Sequence, residues 1–210
     1  MTERTTRILL VRHGLNDYVT SHRLAGWTPG VHLNESGRAQ AQALAARLAA
    51  APIVAFYSSP LERALETAEI IAARHGRVPE VIEALGETRC GDWTGQAIEE
   101  LAKTDLWKQI QFYPSGTRFP GGETMTEVQV RMVAQLEALR SAHSQDTIVV
   151  VSHSDPIKVA LAHYLGLHID HFQRFVIEPA SLSELSFTPY GPKLIRCNDC
   201  SHHPSEAEVG

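Results

Sequence analysis

The sequence is poor in cysteine, has no long hydrophobic run and carries no excess of basic residues. Three cysteines in 210 residues are too few for the disulfide framework of a small secreted protein. No apolar run approaches the roughly 20 residues that cross a bilayer. The polar start of the chain also lacks the hydrophobic core of a signal peptide. We therefore expect a soluble, cytoplasmic protein that has no membrane partner.

The charge balance argues against nucleic acid as a partner. The chain has 19 Lys and Arg against 24 Asp and Glu, a formal charge of −5. Binding along a nucleic acid requires a basic surplus on one face of the protein. A local basic pocket remains compatible with these numbers.

The chain divides into one domain and a short tail. Apolar runs alternate with helix-like segments over residues 1–197. This alternation predicts a single α/β domain, a three-layer α/β/α sandwich around a mostly parallel central sheet. Residues 198–210 are polar and predict a flexible C-terminal tail.

The apolar pattern also places the elements of this domain. Continuous apolar runs predict strands buried on both faces at residues 8–11, 53–57 and 147–151. Apolar residues at helical spacing predict helices over 37–50 (capped by Ser36), from Pro60 onward, over 123–143 and over 156–165. Shorter strands are predicted at 175–177, 182–187 and 193–197. Residues 86–122, rich in glycine and proline, predict a loop-rich lid with short helices.

Two of the predicted strands end in histidine. One runs into Arg12-His13-Gly14 and the other into Ser152-His153-Ser154. The carboxyl ends of parallel strands lie on one edge of a sheet, where open α/β sheets bind ligands. One such histidine alone is more often a surface residue, but two matched strand ends favour a shared crevice.

A third strand end adds an arginine. The predicted strand 53–57 leads to Ser58-Ser59-Pro60, and Arg63 lies in the first turn of the following helix. A helix start attracts anions through its free N–H groups, and a guanidinium binds phosphate in a fork. The alternative is a solvated arginine on the helix surface. Beside Arg12 and the two histidines, the pocket interpretation is favoured.

Two arginines and two histidines suit phosphoryl transfer without a metal or cofactor. One imidazole can attack phosphorus, while the arginines and the other imidazole, protonated, neutralise the phosphate oxygens. The departing oxygen must still be protonated. Glu87, in the glycine-containing lid, is the candidate acid, because a nearby dianion raises the pKa of a carboxyl group.

Five motifs together resemble a known family. In chain order they are LVRHG at 10–14, SSPLxRAxxTA at 58–68, ExxxGxWxG at 87–95, PGGE at 120–123 and VSH at 151–153. They are similar to the phosphoglycerate-mutase-like branch of the histidine phosphatase superfamily over roughly residues 7–190.

The resemblance assigns roles to individual residues. It implies that His13 is the phosphorylated nucleophile and that Arg12, Arg63 and His153 form the phosphate pocket. Glu87 stands where this branch carries its proton donor. Residues 22–27 resemble the segment that closes one side of the site, and Ser154 follows the VSH motif. This makes further substrate-binding candidates of Arg23, Gly26 and Ser154.

The sequence departs from the family pattern after Gly14. The family usually continues with Glu, a small residue and then Trp-Asn, but this chain has Leu15-Asn16-Asp17-Tyr18-Val19. Val19 therefore stands at the usual position of a phosphate-binding Asn. Asn16, three residues earlier, is the candidate for the missing amide.

Hydrolysis of a small phosphomonoester is the favoured function. The alternative of a phosphoglycerate-mutase-type phosphomutase needs a basic group for a second anion. The lid offers only a few basic candidates: Arg89, Lys103, Lys108 and Arg118. A catalytically silent phosphate-binding domain is the remaining alternative, and either a monomer or a homodimer is compatible with the sequence.

The C-terminal Cys197-x-x-Cys200-x-His202-His203 has the density of a metal cluster. No second Cys/His pair lies at zinc-finger spacing, and the segment follows the last predicted strand. We therefore favour loose tail residues over a metal site.

Overall fold

A computed structural model describes residues 5–203. Within them the strands are β1 (Thr6–Arg12), β2 (Ile53–Ser58), β3 (Glu80–Val81), β4 (Thr147–Ser152), β5 (Leu182–Thr188) and β6 (Gly191–Asp199). The α-helices are α1 (Asp17–Thr20), α2 (Glu35–Leu48), α3 (Glu62–Ala73), α4 (Ile98–Leu101), α5 (Asp105–Phe112), α6 (Met125–Ala142) and α7 (Ser154–Tyr164). Short 3-10 helices cover Glu83–Leu85, Gly91–Trp93, Pro114–Gly116 and Ile169–Arg174.

One mixed sheet forms the centre of the described chain. Its strand order is β3-β2-β4-β1-β5-β6. The first four strands are parallel, and β5 and β6 add antiparallel at the β1 side. β1 and β4 are direct neighbours, with Arg12 in register with Ser152. Both histidine-ending strands therefore finish at the same edge, as predicted.

Helices cover both faces of the sheet, which confirms the α/β fold with helices on either side. Alternate residues of β1 point to opposite faces. Ile8 and Leu10 belong to a hydrophobic cluster with α6 and α7, whereas Leu9 and Val11 belong to a cluster with α2 and α3. Burial on both faces explains the continuous apolar runs Ile8–Val11 of β1 and Ile148–Val151 of β4.

Residues 86–122 pack onto the domain instead of standing free of it. α4 and α5 contribute to a third hydrophobic cluster with α6 and α7. Two glycines lie against backbone from the other end of the segment. A Cβ added to Gly91 would lie 2.0 Å from the Pro120 carbonyl oxygen, and a Cβ added to Gly122 would lie 2.1 Å from the Arg89 carbonyl oxygen. The glycines of this segment thus let its two ends approach closely.

The sequence misplaced three details. The strand predicted at 175–177 is absent from the described chain: Phe175 has extended backbone angles, but β1 and β6 already occupy both edges of β5. The two-residue β3 was not predicted, because both of its residues are exposed. The cap of α2 is Asn34, whose side chain accepts from the Gly37 N–H, instead of Ser36.

The described part of the segment predicted as a flexible tail contacts the domain. Asn198 and Asp199 belong to β6. The Arg47 guanidinium of α2 then donates to Asp199 and to the Ser201 hydroxyl, and His202 Nε2 donates to the Ala180 carbonyl. These contacts hold residues 199–202 against the domain, while residues 204–210 lie outside the described chain. Among residues 5–203, no helix is long and apolar enough to cross a membrane.

Candidate active site

The two histidines meet at the carboxyl edge of the sheet. The ring centroids of His13 and His153 are 5.1 Å apart, with the planes inclined at 61°. Both residues are buried, His153 completely. The main prediction, that two strand ends bring distant imidazoles into one crevice, is confirmed by this geometry.

The hydrogen bonds of His13 fix which ring nitrogen can react. Its Nδ1 lies 2.7 Å from the Gly14 carbonyl oxygen, which can only accept, so Nδ1 carries the proton. Nε2 therefore keeps a free lone pair. Arg63 Nε donates to this Nε2 across 3.3 Å, which is consistent with the same tautomer.

The two arginines are anchored by backbone carbonyls and keep further donors free. Arg63 Nη2 donates to the Gly26 carbonyl at 2.9 Å, and Arg12 Nη1 donates to that of Ile177 at 2.6 Å. Arg12 Nε and Arg63 Nη1 are buried and have no partner within the described residues. Both guanidinium groups are thus held in place with donors left for a ligand.

His153 is held from the opposite side. Its Nε2 lies 2.7 Å from the Ser59 hydroxyl, which itself accepts from the Leu61 N–H at 3.3 Å. We assign the hydroxyl as the donor to Nε2, an arrangement that places the ring proton on Nδ1. Nδ1 is buried without a hydrogen-bond partner in residues 5–203 and lies 3.8 Å from Glu87 Oε2.

Asn16 supplies an amide to the same cavity. Its Oδ1 accepts from the Val19 N–H and caps α1. Its Nδ2 is completely buried without a partner in the described chain. The placement agrees with the expectation that Asn16 replaces the amide missing at position 19.

Unpartnered buried donors concentrate around His13. Of the eight buried side-chain N and O atoms without a partner in residues 5–203, five belong to this site. They are Arg12 Nε, Asn16 Nδ2, Arg63 Nη1, Thr88 Oγ1 and His153 Nδ1. Buried polar groups are almost always hydrogen-bonded in native proteins, and N–H donors of this kind bind an anion.

Burial and the arginines keep both imidazoles neutral. The pKa of His13 is well below its usual value, first because of burial and then because of the positive charges of Arg63 and Arg12. The pKa of His153 is lowered by burial and by Arg63 as well. Burial and Arg63 thus favour a neutral His153 in the free site, and its protonation in the transition state stays a prediction.

The surroundings of Glu87 favour the protonated form of its carboxyl group. Its backbone carbonyl accepts from Trp27 Nε1 at 2.6 Å and from Arg131 Nη2 at 2.9 Å. Burial raises the pKa of the carboxyl group, and the negative charge of Asp155 raises it further, against the lowering effect of Arg63 and the Thr88 N–H. A carboxyl group with a raised pKa is able to donate a proton near neutral pH.

The cavity extends from these groups towards the lid and encloses about 270 Å³. Arg12, His13, Asn16, Arg63 and Glu87 line its inner end, and Arg23, Gly26 and Ser154 also line it. The structure thus brings every predicted site residue to one place. The Gly14 N–H donates to Thr67 Oγ1, and a Cβ on Gly14 would lie 2.5 Å from the Gly37 carbonyl oxygen, so glycine allows this close approach.

A comparison with family models shows which family this chain belongs to. Residues 8–200 match the model of the histidine phosphatase superfamily (branch 1). The chain belongs to that superfamily. The family resemblance seen in the five motifs is thereby confirmed.

Several relatives of the chain are named as phosphatases. Phosphoserine phosphatase 1 of Hydrogenobacter thermophilus is 30% identical over 205 residues, which cover 93% of each chain. Glucosyl-3-phosphoglycerate phosphatase of Mycolicibacterium vanbaalenii is 30% identical over 177 residues, or 80% of this chain and 78% of that one. A crystal structure of a phosphoserine phosphatase mutant from Entamoeba histolytica with phosphoserine matches with a TM-score of 0.86 and 27% identity, over 94% of this chain and 98% of that one.

Sequence reasoning missed the residues that hold Glu87 in place. Arg131 on α6 donates to the Ala84, Gly86 and Glu87 carbonyls and pairs with Glu123 through two hydrogen bonds. Glu123 was visible in the PGGE motif, but its partner eight residues later carries no sequence signal. Asp155, Thr88, Gln111 and Gln173 also line or border the cavity without having been singled out.

The C-terminal cysteines and histidines form no metal cluster in the described chain. No group of three or more His, Cys, Asp or Glu side chains in residues 5–203 is arranged to hold a metal ion. Cys197 is exposed on β6, and His202 donates to a backbone carbonyl.

Proposed function

We propose that the protein is a phosphomonoester hydrolase that acts through a phosphohistidine on His13, with Glu87 as the proton donor. The observation that carries this proposal is the group of five buried, unpartnered polar atoms around a neutral imidazole whose Nε2 is unprotonated. Family membership and phosphatase relatives support the hydrolysis of phosphate esters.

In the first step His13 Nε2 attacks the phosphorus atom of the ester. The N–P bond forms as the bond between phosphorus and the leaving oxygen breaks, and Glu87 gives its proton to that oxygen. The donors of Arg12, Arg63, Asn16 and His153 bind the phosphoryl oxygens, whose charge they stabilise in the transition state.

In the second step water replaces His13. Glu87, now a carboxylate, accepts a proton from a water molecule whose oxygen attacks phosphorus. The N–P bond breaks, inorganic phosphate leaves, and the imidazole and the protonated carboxyl group are restored.

The positions of the lid cations favour hydrolysis over the mutase alternative. Arg89, Lys103, Lys108 and Arg118 pair with Glu83, Glu100, Asp105 and Glu127 respectively. None of these four cations lines the cavity. Arg23 remains as an outer cation, which is too little for the second phosphate that a phosphomutase must hold.

We also propose the setting in which this activity occurs. Residues 1–197 would act as one domain with residues 86–122 as the wall and lid of the cavity. The low cysteine content favours a cytoplasmic location, and the acidic net charge favours small phosphate esters over nucleic acid. The substrates of the named relatives are the first esters to test, and light scattering distinguishes the monomer from the homodimer.

The test is hydrolysis of phenyl phosphate by wild type and by His13→Ala, each with and without EDTA. We expect chelator-resistant turnover that falls by at least about 10⁴-fold in His13→Ala, and a phosphoryl adduct on the wild type that is stable to base and labile to acid. His163→Ala, which removes an exposed histidine of α7, is the matched control. Turnover that survives His13→Ala, or its absence in the wild type, contradicts the proposal.

A further inference from the structure

A chain of three polar side chains crosses from the domain to the lid and ends at the cavity. Lys158 Nζ on α7 donates to Gln173 Oε1 at 2.8 Å. Gln173 Nε2, in the 3-10 helix Ile169–Arg174, donates to Gln111 Oε1 on α5 at 2.8 Å. Gln111 and Gln173 both line the cavity that contains His13.

The lysine sets the direction of this chain. An ammonium group has donors only, so the atom of Gln173 that faces it must be the carbonyl oxygen. The Gln173 amide then presents its NH₂ to Gln111, whose oxygen accepts. The remaining atom of the chain, Gln111 Nε2, must therefore be a donor.

Gln111 Nε2 is free for a ligand. It has no hydrogen-bond partner in residues 5–203, and it is not among the atoms buried from solvent. Gln111 lines the cavity that contains His13, so this donor is available to a ligand bound there.

The charged side chains that line the cavity also favour a ligand group that accepts hydrogen bonds. Arg23 is exposed, lines the same cavity and pairs with no acidic side chain within the described residues. Asp155 also lines the cavity, but its Oδ1 lies 3.7 Å from Lys158 Nζ, which offsets its charge. The outer cavity thus offers a guanidinium and an amide N–H.

We propose that Gln111 is a specificity-determining residue, whose N–H, oriented by Lys158 through Gln173, binds a carboxylate on the leaving group of the ester. The proposal deepens the proposed function, since it takes the phosphate end of the substrate to be bound at His13. Lys158 and Gln173 act as positioning residues because they orient Gln111 without touching the substrate.

Four phosphate esters with the same three-carbon chain test this selectivity. They end in a carboxylate (3-phosphoglycerate), a hydroxyl (glycerol 3-phosphate), a methyl (n-propyl phosphate) and an ammonium (3-aminopropyl phosphate). We expect kcat/KM to fall in this order, with about a tenfold or larger preference for the carboxylate over the methyl group. Affinities for the same esters, measured by calorimetry on His13→Ala, are expected to follow the same order.

Three variants test whether the carboxylate preference depends on the hydrogen-bonded side chains Lys158, Gln173 and Gln111. Gln111→Met should reduce the carboxylate-to-methyl ratio about tenfold. Gln111→Glu should reverse the order of the carboxylate and ammonium esters, which a loss of folding cannot produce. Lys158→Met should reduce the carboxylate-to-methyl ratio, because the amides of Gln173 and Gln111 lose their fixed direction. Its Tm should not fall enough to account for this reduction. Gln109→Met on the exposed face of α5 is the control, with the wild-type ratio.

The outcomes separate this inference from the proposed function. Equal kcat/KM and equal affinity for all four esters, or an unchanged order in Gln111→Glu, overturns the role of Gln111 while phenyl phosphate hydrolysis still supports the hydrolase. If phenyl phosphate is not hydrolysed but the affinities follow the expected order and reverse in Gln111→Glu, the hydrolase fails and the carboxylate site stands.

Discussion

Individual side chains in this site are prepared for a dianion before it arrives. Burial and two neighbouring guanidinium groups lower the pKa of both imidazoles, which favours the unprotonated form of His13 that the proposed nucleophile requires. A bound phosphate dianion reverses this field and favours the protonated form of His153. The same anion raises the pKa of Glu87 further, so substrate binding itself strengthens the acid.

Glu87→Gln should expose the role of this acid through its dependence on the leaving group. Alkyl phosphates need protonation of a poor leaving oxygen, so their kcat/KM should fall about 10²- to 10⁴-fold. 2,4-Dinitrophenyl phosphate leaves without a proton, so its burst of released phenolate should stay close to that of the wild type. Glu83→Gln, in the exposed pair with Arg89, is the control. An equal loss for both esters would remove Glu87 from the role of acid.

Asp155→Asn should shift the pH profile through Glu87. The negative charge of Asp155 raises the pKa of Glu87, so its removal lowers that pKa. Glu87 must be protonated to act as the acid, and therefore kcat/KM for alkyl phosphates should begin its high-pH decline at a lower pH in the variant. The measurement is a pH–rate profile beside Asp105→Asn, an exposed residue of the lid. A decline at the same or a higher pH contradicts the assignment.

At the scale of elements, the predictable part of the site is the part that lies on strands. His13 and His153 follow apolar runs, and parallel pairing of β1 with β4 brings their ends together by register alone. Arg63 follows in the same way from the first turn of α3. Gln173 and Gln111 could not be predicted, because their meeting depends on how a 3-10 helix packs against the lid helix. The strand expected at 175–177 was wrong because no strand of the described sheet pairs with these residues.

Helix α6 should influence catalysis through the backbone of Glu87. Arg131→Met removes a guanidinium that holds the Ala84, Gly86 and Glu87 carbonyls and leaves Glu123 without its partner. We expect a loss of about 3 kcal/mol in unfolding free energy, together with a larger rate loss for alkyl phosphates than for 2,4-dinitrophenyl phosphate. Arg131→Lys should recover part of the stability but little of the acid function, because lysine lacks the planar fork.

The control for this prediction lies on the same helix. Arg140 pairs with Glu137 at a more exposed position of α6, and Arg140→Met should leave the leaving-group dependence unchanged. A uniform rate loss for both esters in Arg131→Met would mean that the pair serves stability alone.

At the scale of the whole molecule, the layered architecture could be predicted, but the contact of residues 199–202 with the domain could not. The continuous apolar runs of the strands buried on both faces and the amphipathic helices follow from local patterns. The polar residues at 198–203 look solvated in the sequence. In the structure, Arg47 of α2 donates hydrogen bonds to Asp199, Ser201 and His202. This contact joins positions about 150 residues apart, and no local pattern encodes it.

The contact between Arg47 and Asp199 should make stability depend on pH. Its two side chains are mostly buried, and the hydrogen bond from Arg47 holds the pKa of Asp199 well below its usual range. A group with a depressed folded-state pKa contributes stability above its unfolded pKa, about 3.9, and loses it as pH falls towards the folded value. Asp199→Asn should therefore lower the unfolding free energy by about 1–2 kcal/mol at pH 7, with a difference from wild type that shrinks below about pH 5. Urea unfolding between pH 7 and pH 4 measures it, beside Glu100→Gln in an exposed lid pair, where we expect less than about 1 kcal/mol. A difference in unfolding free energy that stays constant across this pH range would contradict a stabilising role of the ion pair.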